Sequence, residues 1–372
     1  MNFLFQLGSF ALAAIIAGFI IPQILLISFK KKLFDIPNER KVHNQAIPRL
    51  GGVSFFPTIL FTIALVLGLR YKFGYTIPEF MAGYFVLESM FVICGLTLLY
   101  IVGIADDLIG VRYRKKFAVQ ILCGIFFPLS GLYINNLYGL FGIHEIPEYI
   151  AYPFTVLVVV FVTNAINLID GIDGLASGLS SVSLVILGAL FFYDRLWVYS
   201  MIAFATFGVL LPFFFYNVFG SAGKKRKIFM GDTGSLTLGY IISFLVIKYS
   251  MCNSDVMPYQ PGAIVIAFST LIIPMFDVVR VVCVRARQGK GLFTADRNHI
   301  HHKFLAMGFT PRKAMMTIIG MACLFSAVNI VLAQYIDLTF IVCGDVVAWI
   351  VLQLWFNRIR KIRSIKEEKK RV

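Results

Sequence analysis

Apolar residues in this chain fall in long unbroken runs separated by short polar connections. A helix needs about 20 such residues to cross the hydrocarbon core of a bilayer. Eleven runs approach that length, at about 3–29, 51–69, 82–103, 116–134, 151–169, 175–193, 197–216, 234–250, 262–283, 314–334 and 338–356. The run at 151–169 stands apart because it ends in a polar motif. The pattern predicts an all-α, polytopic transmembrane helix bundle of about 11 spans. Residues 1–356 read as one membrane domain and 357–372 as a basic tail.

Composition agrees. Of the 372 residues, 59% are hydrophobic and 14% charged, against about 25% charged in a soluble domain. The mean hydropathy is +0.83. The net charge of +15 would suggest nucleic acid in a soluble protein. Here no basic and aromatic residues interleave as they do on single strands, so a nucleic-acid partner is not expected. Lys and Arg instead alternate with the spans. The connections at 30–50, 104–116, 217–233 and 284–313 and the tail hold 29 of the 34, while Arg70, Lys72 and Arg195 lie on the other side. Excess Lys and Arg mark cytoplasmic loops, which predicts the N-terminus outside and the C-terminus in the cytoplasm. The first run has no basic region before it and is too long for a cleavable signal. The six cysteines form no CxxC pair and read as small hydrophobes.

Four connections on the basic side carry chemistry. The first holds Asp106-Asp107, followed by Lys115-Lys116. Adjacent carboxylates need a cation or a shared proton, although a helix-capping loop is also consistent. In the second, Asn164, Asn167, Asp170 and Asp173 recur every three residues, with Gly171 and Gly174 between. On a helix they would form one polar stripe, and such residues at membrane depth are costly unless they serve a site. A tight turn is the plain alternative. The third, Met230-Gly231-Asp232-Thr233-Gly234-Ser235, suits either a helix cap or Mg²⁺, which takes one or two protein carboxylates plus water and substrate phosphates. The fourth, Asp296-Arg297-Asn298-His299-Ile300-His301-His302-Lys303, suits phosphate binding, with zinc as the competitor. Carboxylates for a metal beside cations for phosphates point to Mg²⁺-assisted phosphoryl transfer at a membrane surface. An ion-coupled transporter is the rival class. It would place acids near the midplane, and many transporters show internal repeats, which this chain lacks. Asp345 reads as a polar contact within the bundle, and Asp277 with Arg280 as the rim of the site.

These segments resemble the polyprenyl-phosphate N-acetylhexosamine-1-phosphate transferases over nearly the whole chain. The resemblance rests on Asp106-Asp107, NAINLIDGIDGLA at 164–176, MGDTGS at 230–235 and HIHH at 299–302. It also takes in RKVH at 40–43 and IPRLGG at 47–52. It implies transfer of a sugar-1-phosphate from a UDP-amino sugar to a polyprenyl phosphate, releasing UMP, as the first membrane step of a cell-envelope polysaccharide pathway. The HIHH and RKVH…IPRLGG segments look like the UDP-GlcNAc and undecaprenyl phosphate subgroup. Enzymes that take UDP-N-acetylmuramoyl-pentapeptide usually carry three consecutive His, a run that Ile300 interrupts here. The resemblance further implies Asp232 as ligand of Mg²⁺, with Mn²⁺ an alternative. It implies Asp106, Asp107 and Asp173 in catalysis, and Lys116, Asn164, Asn167, Asp170, Arg297, His299, His301 and His302 in substrate binding. The expected setting is the bacterial inner (cytoplasmic) membrane with the active site facing the cytoplasm. A homodimer stays open.

Overall fold

The computed structural model describes residues 2–34, 47–77, 79–253, 255–257, 259–291 and 298–368. Among them are thirteen α-helices and no β-strand. In chain order they are α1 (Asn2–Lys31), α2 (Phe55–Lys72), α3 (Glu79–Ile109), α4 (Tyr113–Leu129), α5 (Glu148–Ile169), α6 (Leu175–Tyr193) and α7 (Trp197–Phe214). A π-helical turn (Phe215–Phe219) follows α7. Then come α8 (Gly231–Ser250), α9 (Ala263–Ser269), α10 (Ile272–Arg287), α11 (Ile300–Ala306), α12 (Pro311–Leu332) and α13 (Leu338–Glu368). Local signals set several starts. Thr310 accepts the Lys313 N–H and Pro311 opens α12, the combination expected where first-turn N–H groups lack partners.

Ten of the eleven apolar runs fall mainly on a single helix and the run at 262–283 is divided between α9 and α10, but not every one is a span by itself. Eight helices are long and apolar enough to cross a membrane. A ninth crossing requires counting α9 and α10 together, and these are bent by 78° at their break. The two shortfalls from the expected 11 are α4, with 17 residues, and α8. The reason for α8 is its position. Every residue from Thr233 to Ser250 is buried, because α3, α5, α6 and α9 pack around it. A helix sheathed in protein has no need to match lipid, so it carries serines, threonines and glycines. Its lining contacts are close: Tyr240 donates to the Cys123 carbonyl at 3.0 Å.

Far along α8, Lys248 donates to Glu88 of α3 at 2.6 Å and Tyr199 of α7 donates to the same carboxylate at 2.8 Å. All three side chains are buried. A buried charge must be paired to be tolerated, and this triad ties three helices at that end. Asp345 is likewise held inside the bundle, accepting from Asn329 at 2.7 Å.

Candidate active site

The other end of α8 gathers the polar motifs. Here α3 and α5 finish while α4, α6 and α8 begin. Residues 48–52 lie alongside: Phe229 donates to the Pro48 carbonyl at 2.8 Å, Gly51 to the Phe229 carbonyl at 2.9 Å and Gly52 to the Met230 carbonyl at 2.8 Å. Gly231 bends the chain into α8 with φ +71, and a Cβ there would stand 2.1 Å from the Arg49 carbonyl oxygen and 2.5 Å from the Asp107 carboxylate. Only glycine fits that corner.

The first N–H groups of a helix lack partners inside it. Asp107, at the end of α3, supplies the acceptor. Its carboxylate takes the Asp232 N–H at 2.8 Å, the Thr233 N–H at 3.0 Å and the Thr233 hydroxyl at 2.6 Å. The cap of α8 thus comes from a neighbouring helix, and Asp232 is freed for other contacts. Asp232 accepts from Asn167 of α5 at 3.2 Å and is ion-paired with Lys116 of α4. The Lys116 ammonium also reaches Asp106 at 3.2 Å, so one cation bridges two carboxylates from different helices. Asp106 also takes the Val111 N–H at 2.5 Å. Asn167 donates in turn to the Ser235 hydroxyl at 2.8 Å.

The stripe expected at 164, 167, 170 and 173 is broken, because α5 ends at Ile169. Asn164 and Asn167 share the helix, but Asn164 pairs with Gln120 at 2.7 Å and with its own helix's Val160 carbonyl. It therefore faces α4, away from the acids. Asp170 and Asp173 follow in the turn. Asp173 is paired with Lys227 at 2.5 Å. Asp170 is open to water yet stands among dense protein. That surrounding protein pushes its carboxyl above the usual range, and the charges of Asp232 and Asp173 add to the effect while Arg49 opposes it.

The histidines arrive on α11. Asp277 of α10 is fully buried and fixes the start of that helix. Its carboxylate meets His299 Nδ1 at 2.8 Å, takes the Ile300 N–H at 2.9 Å and pairs with Arg280 at 2.7 Å. Arg280 also donates to the Asn298 carbonyl. The rim residues foreseen in the sequence are thus the clamp behind His299. His301 lies against the second motif: a Cβ on Gly171 would stand 2.0 Å from its Nε2. Burial, reinforced by His302 and His299, pushes His301 down to about 3, so it remains neutral at physiological pH. Its Nδ1 has no hydrogen-bond partner among the described residues. The His302 ring lies 4.2 Å from that of His301. Arg297 and the segment 40–43 lie outside the described residues.

Asp106, Asp107, Lys116, Asn167 and Asp232 therefore form one contact network. Asp170 and Asp173 stand beside it, and His301 touches the turn that carries them. Sequence reading missed Thr233 and Ser235 as members of the network, and Gln120 and Lys227 as the partners of Asn164 and Asp173. Gln120 lies four residues after Lys116, on the same face of α4, which was the available signal. Nothing in the basic run 224–227 marks Lys227 as the residue that turns inward.

An all-helical bundle with this polar network at one end defines a multi-pass membrane protein with a site at the end of its helices. The profile of Glycosyl transferase family 4 matches residues 89–250, from α3 through α8, a stretch that includes every member of the carboxylate network. Relatives extend the likeness. The undecaprenyl-phosphate alpha-N-acetylglucosaminyl 1-phosphate transferase of Escherichia coli (strain K12) is 32% identical over 308 residues, 82% of this chain and 78% of the relative. The protein of that name from Pasteurella multocida (strain Pm70) is 32% identical over 350 residues, 90% of this chain and 92% of the relative. The one from Salmonella typhi is 30% identical over 332 residues, 87% and 84% respectively. The chain belongs to glycosyl transferase family 4.

Proposed function

We propose that the protein transfers N-acetylglucosamine-1-phosphate from UDP-GlcNAc to undecaprenyl phosphate, giving undecaprenyl-diphospho-GlcNAc and UMP. The observation that carries this is the Lys116 ammonium held between Asp106 and Asp232 at the N-terminal end of α8, in a chain whose relatives bear that transferase name over most of their length. The lipid phosphate oxygen attacks the sugar-bearing phosphorus, and the bond from that phosphorus to the UMP oxygen breaks. One phosphoanhydride is made as one is lost, so the step is nearly thermoneutral. A phosphate monoester has its second pKa near about 6. The acceptor is therefore largely ionised at neutral pH, and a general base is not required. Asp106 and Lys116 would position it.

The donor set suits Mg²⁺. Asp232, with Asp106 beside it, offers the one or two carboxylates that this ion takes, leaving water and substrate phosphates to complete its shell; Mn²⁺ is an alternative. When bound, the ion neutralises charge developing on the diphosphate. Asn167 orients Asp232 through its amide. Asp170, Asp173 and the α11 histidines line the side where the nucleotide sugar would lie. The one-sided Lys and Arg support a cytoplasmic orientation for this face, and the bacterial relatives support the inner membrane as its setting; the ends of α3, α5 and α8 would then lie at the bilayer surface.

The test is purified protein with UDP-GlcNAc, undecaprenyl phosphate and Mg²⁺, following UMP release. Parallel reactions contain UDP-N-acetylmuramoyl-pentapeptide. Release with UDP-GlcNAc alone supports the reading. Release with the pentapeptide donor alone, or with neither, overturns it.

A further inference from the structure

We propose that the groove between the C-terminal end of α1 and the turn after the π-helical segment binds an anionic phospholipid, with the headgroup phosphate on Lys30, Lys225 and Arg226. The groove holds about 660 Å³. One wall is apolar: Pro22, Leu25, Leu26 and Phe29 of α1, faced by Tyr216 of the π-helical turn. From Pro22 to Phe29 that wall runs about 10 Å along the helix. The three cations stand at its polar end, all exposed, and none has an acidic partner among the described residues. The Lys225 ammonium lies 5.7 Å from the centre of the Phe29 ring, directly over the wall. Lys225 itself has φ +54, a left-handed backbone that side chains seldom adopt, so the tight turn aims it there at a local cost.

An apolar trough along a membrane helix that ends in exposed cations complements an acyl chain below an anionic headgroup. Inorganic phosphate would gain nothing from the trough, and a zwitterionic lipid would gain little from the net charge. The groove is separate from the carboxylate network. The next residue, Lys227, turns the opposite way to pair with Asp173, so one short segment grips the groove with Lys225 and Arg226 and the site with Lys227. This inference does not depend on which sugar nucleotide is the donor.

The experiment measures retention of phosphatidylglycerol and phosphatidylcholine on the detergent-purified full chain by native mass spectrometry. Wild type is expected to retain phosphatidylglycerol at least about tenfold better. Each cation near an anionic surface is worth about a fivefold change in binding. The variant Lys30→Gln/Lys225→Gln/Arg226→Gln should therefore fall to the phosphatidylcholine level. Arg287→Gln/Lys290→Gln/Lys313→Gln, which removes the same charge from the same end of the bundle, should change retention less than about threefold. Leu26→Trp fills the trough with the cations intact, at a half-exposed position that tolerates it, and should also lose the lipid. Equal retention of the two lipids by wild type overturns the proposal. Equal loss from both charge variants overturns it too, as does wild-type retention in the Leu26→Trp protein.

Discussion

Asp107 tests whether the carboxylates act on substrate or on the fold. Its geometry assigns it to α8: three donors converge on one carboxylate, at 2.8, 3.0 and 2.6 Å. Asp107→Asn keeps the shape. The amide oxygen can take the Oδ2 position and retain both Thr233 donors, but the NH₂ group then faces the Asp232 N–H and leaves it unsatisfied. A helix cap is worth about 1–2 kcal/mol, and bonds to a charged acceptor about 1.5–3 kcal/mol each. Losing one bond and the charge on the others should cost about 2–4 kcal/mol. In a chain of this size that lowers the unfolding temperature by about 3–5 °C. Asp232 sits on the turn being uncapped, and a displacement of about 1 Å at a reacting group costs on the order of 100-fold in rate. UMP release should therefore fall 10- to 100-fold together with stability. Thr233→Val removes only the hydroxyl bond and should cost about 1 kcal/mol. The double variant should show a coupling of at least about 0.5 kcal/mol. Thermal unfolding and UMP release are measured on the same preparations. If Asp107→Asn unfolds at the wild-type temperature while activity disappears, the capping assignment is wrong and Asp107 acts on substrate.

Four further outcomes are expected. Asp232→Asn should lower UMP release at least about 100-fold, and chelation of divalent ions should abolish wild-type release until Mg²⁺ or Mn²⁺ is restored; near-normal turnover of the variant would remove Asp232 from the metal. Gly171→Ala drives a methyl into the His301 ring, 2.0 Å from Nε2, and should cost about 1–3 kcal/mol of stability along with activity, read by thermal unfolding and UMP release. Asp170 has a carboxyl raised above its ordinary value, so the folded protein binds an extra proton there and stability is lost as pH rises from the ordinary carboxyl range through the raised pKa. Unfolding temperatures taken at pH 5 and pH 8 should fall more for wild type than for Asp170→Asn, and parallel curves would refute the assignment. Glu88→Gln leaves Lys248 charged and buried without its partner, which should cost about 3–5 kcal/mol; Glu88→Leu/Lys248→Met should recover most of it in thermal unfolding.

The sequence made the bundle plain because lipid imposes a simple rule: a run of apolar residues must be long. The rule counts α8 among the spans, yet this helix is shielded from lipid and carries polar residues that leave it short of the apolarity of a lipid-facing span. Three-residue spacing grouped Asn164, Asn167, Asp170 and Asp173 as one stripe, but spacing does not reveal where a helix stops. Ile169 ends α5, and the last two members of the stripe are placed by a turn. The division of labour between neighbouring acids was hidden for another reason. Asp106 and Asp107 are identical in type and adjacent in sequence. Their roles separate only because successive side chains on a helix point about 100° apart, one to Lys116 and one to the N-terminus of α8.

That division has a chemical consequence. The positive end of a helix attracts anions, and α8 meets two there, Asp107 as its cap and Asp232 in its first turn. Such crowding is tolerable because each acid but one is engaged. Asp107 holds three donors, Asp106 and Asp232 share Lys116, and Asp173 holds Lys227. Asp170 alone accepts no side-chain hydrogen bond among the described residues, while remaining open to solvent. A carboxylate with free lone pairs beside three others is under electrostatic strain, which a donor group relieves. Hydroxyl and N–H groups of a nucleotide sugar are such donors. Where the nucleotide sugar lies as proposed, binding them would relieve repulsion already present in the free protein, and part of its affinity would be stored in the arrangement of the neighbouring acids.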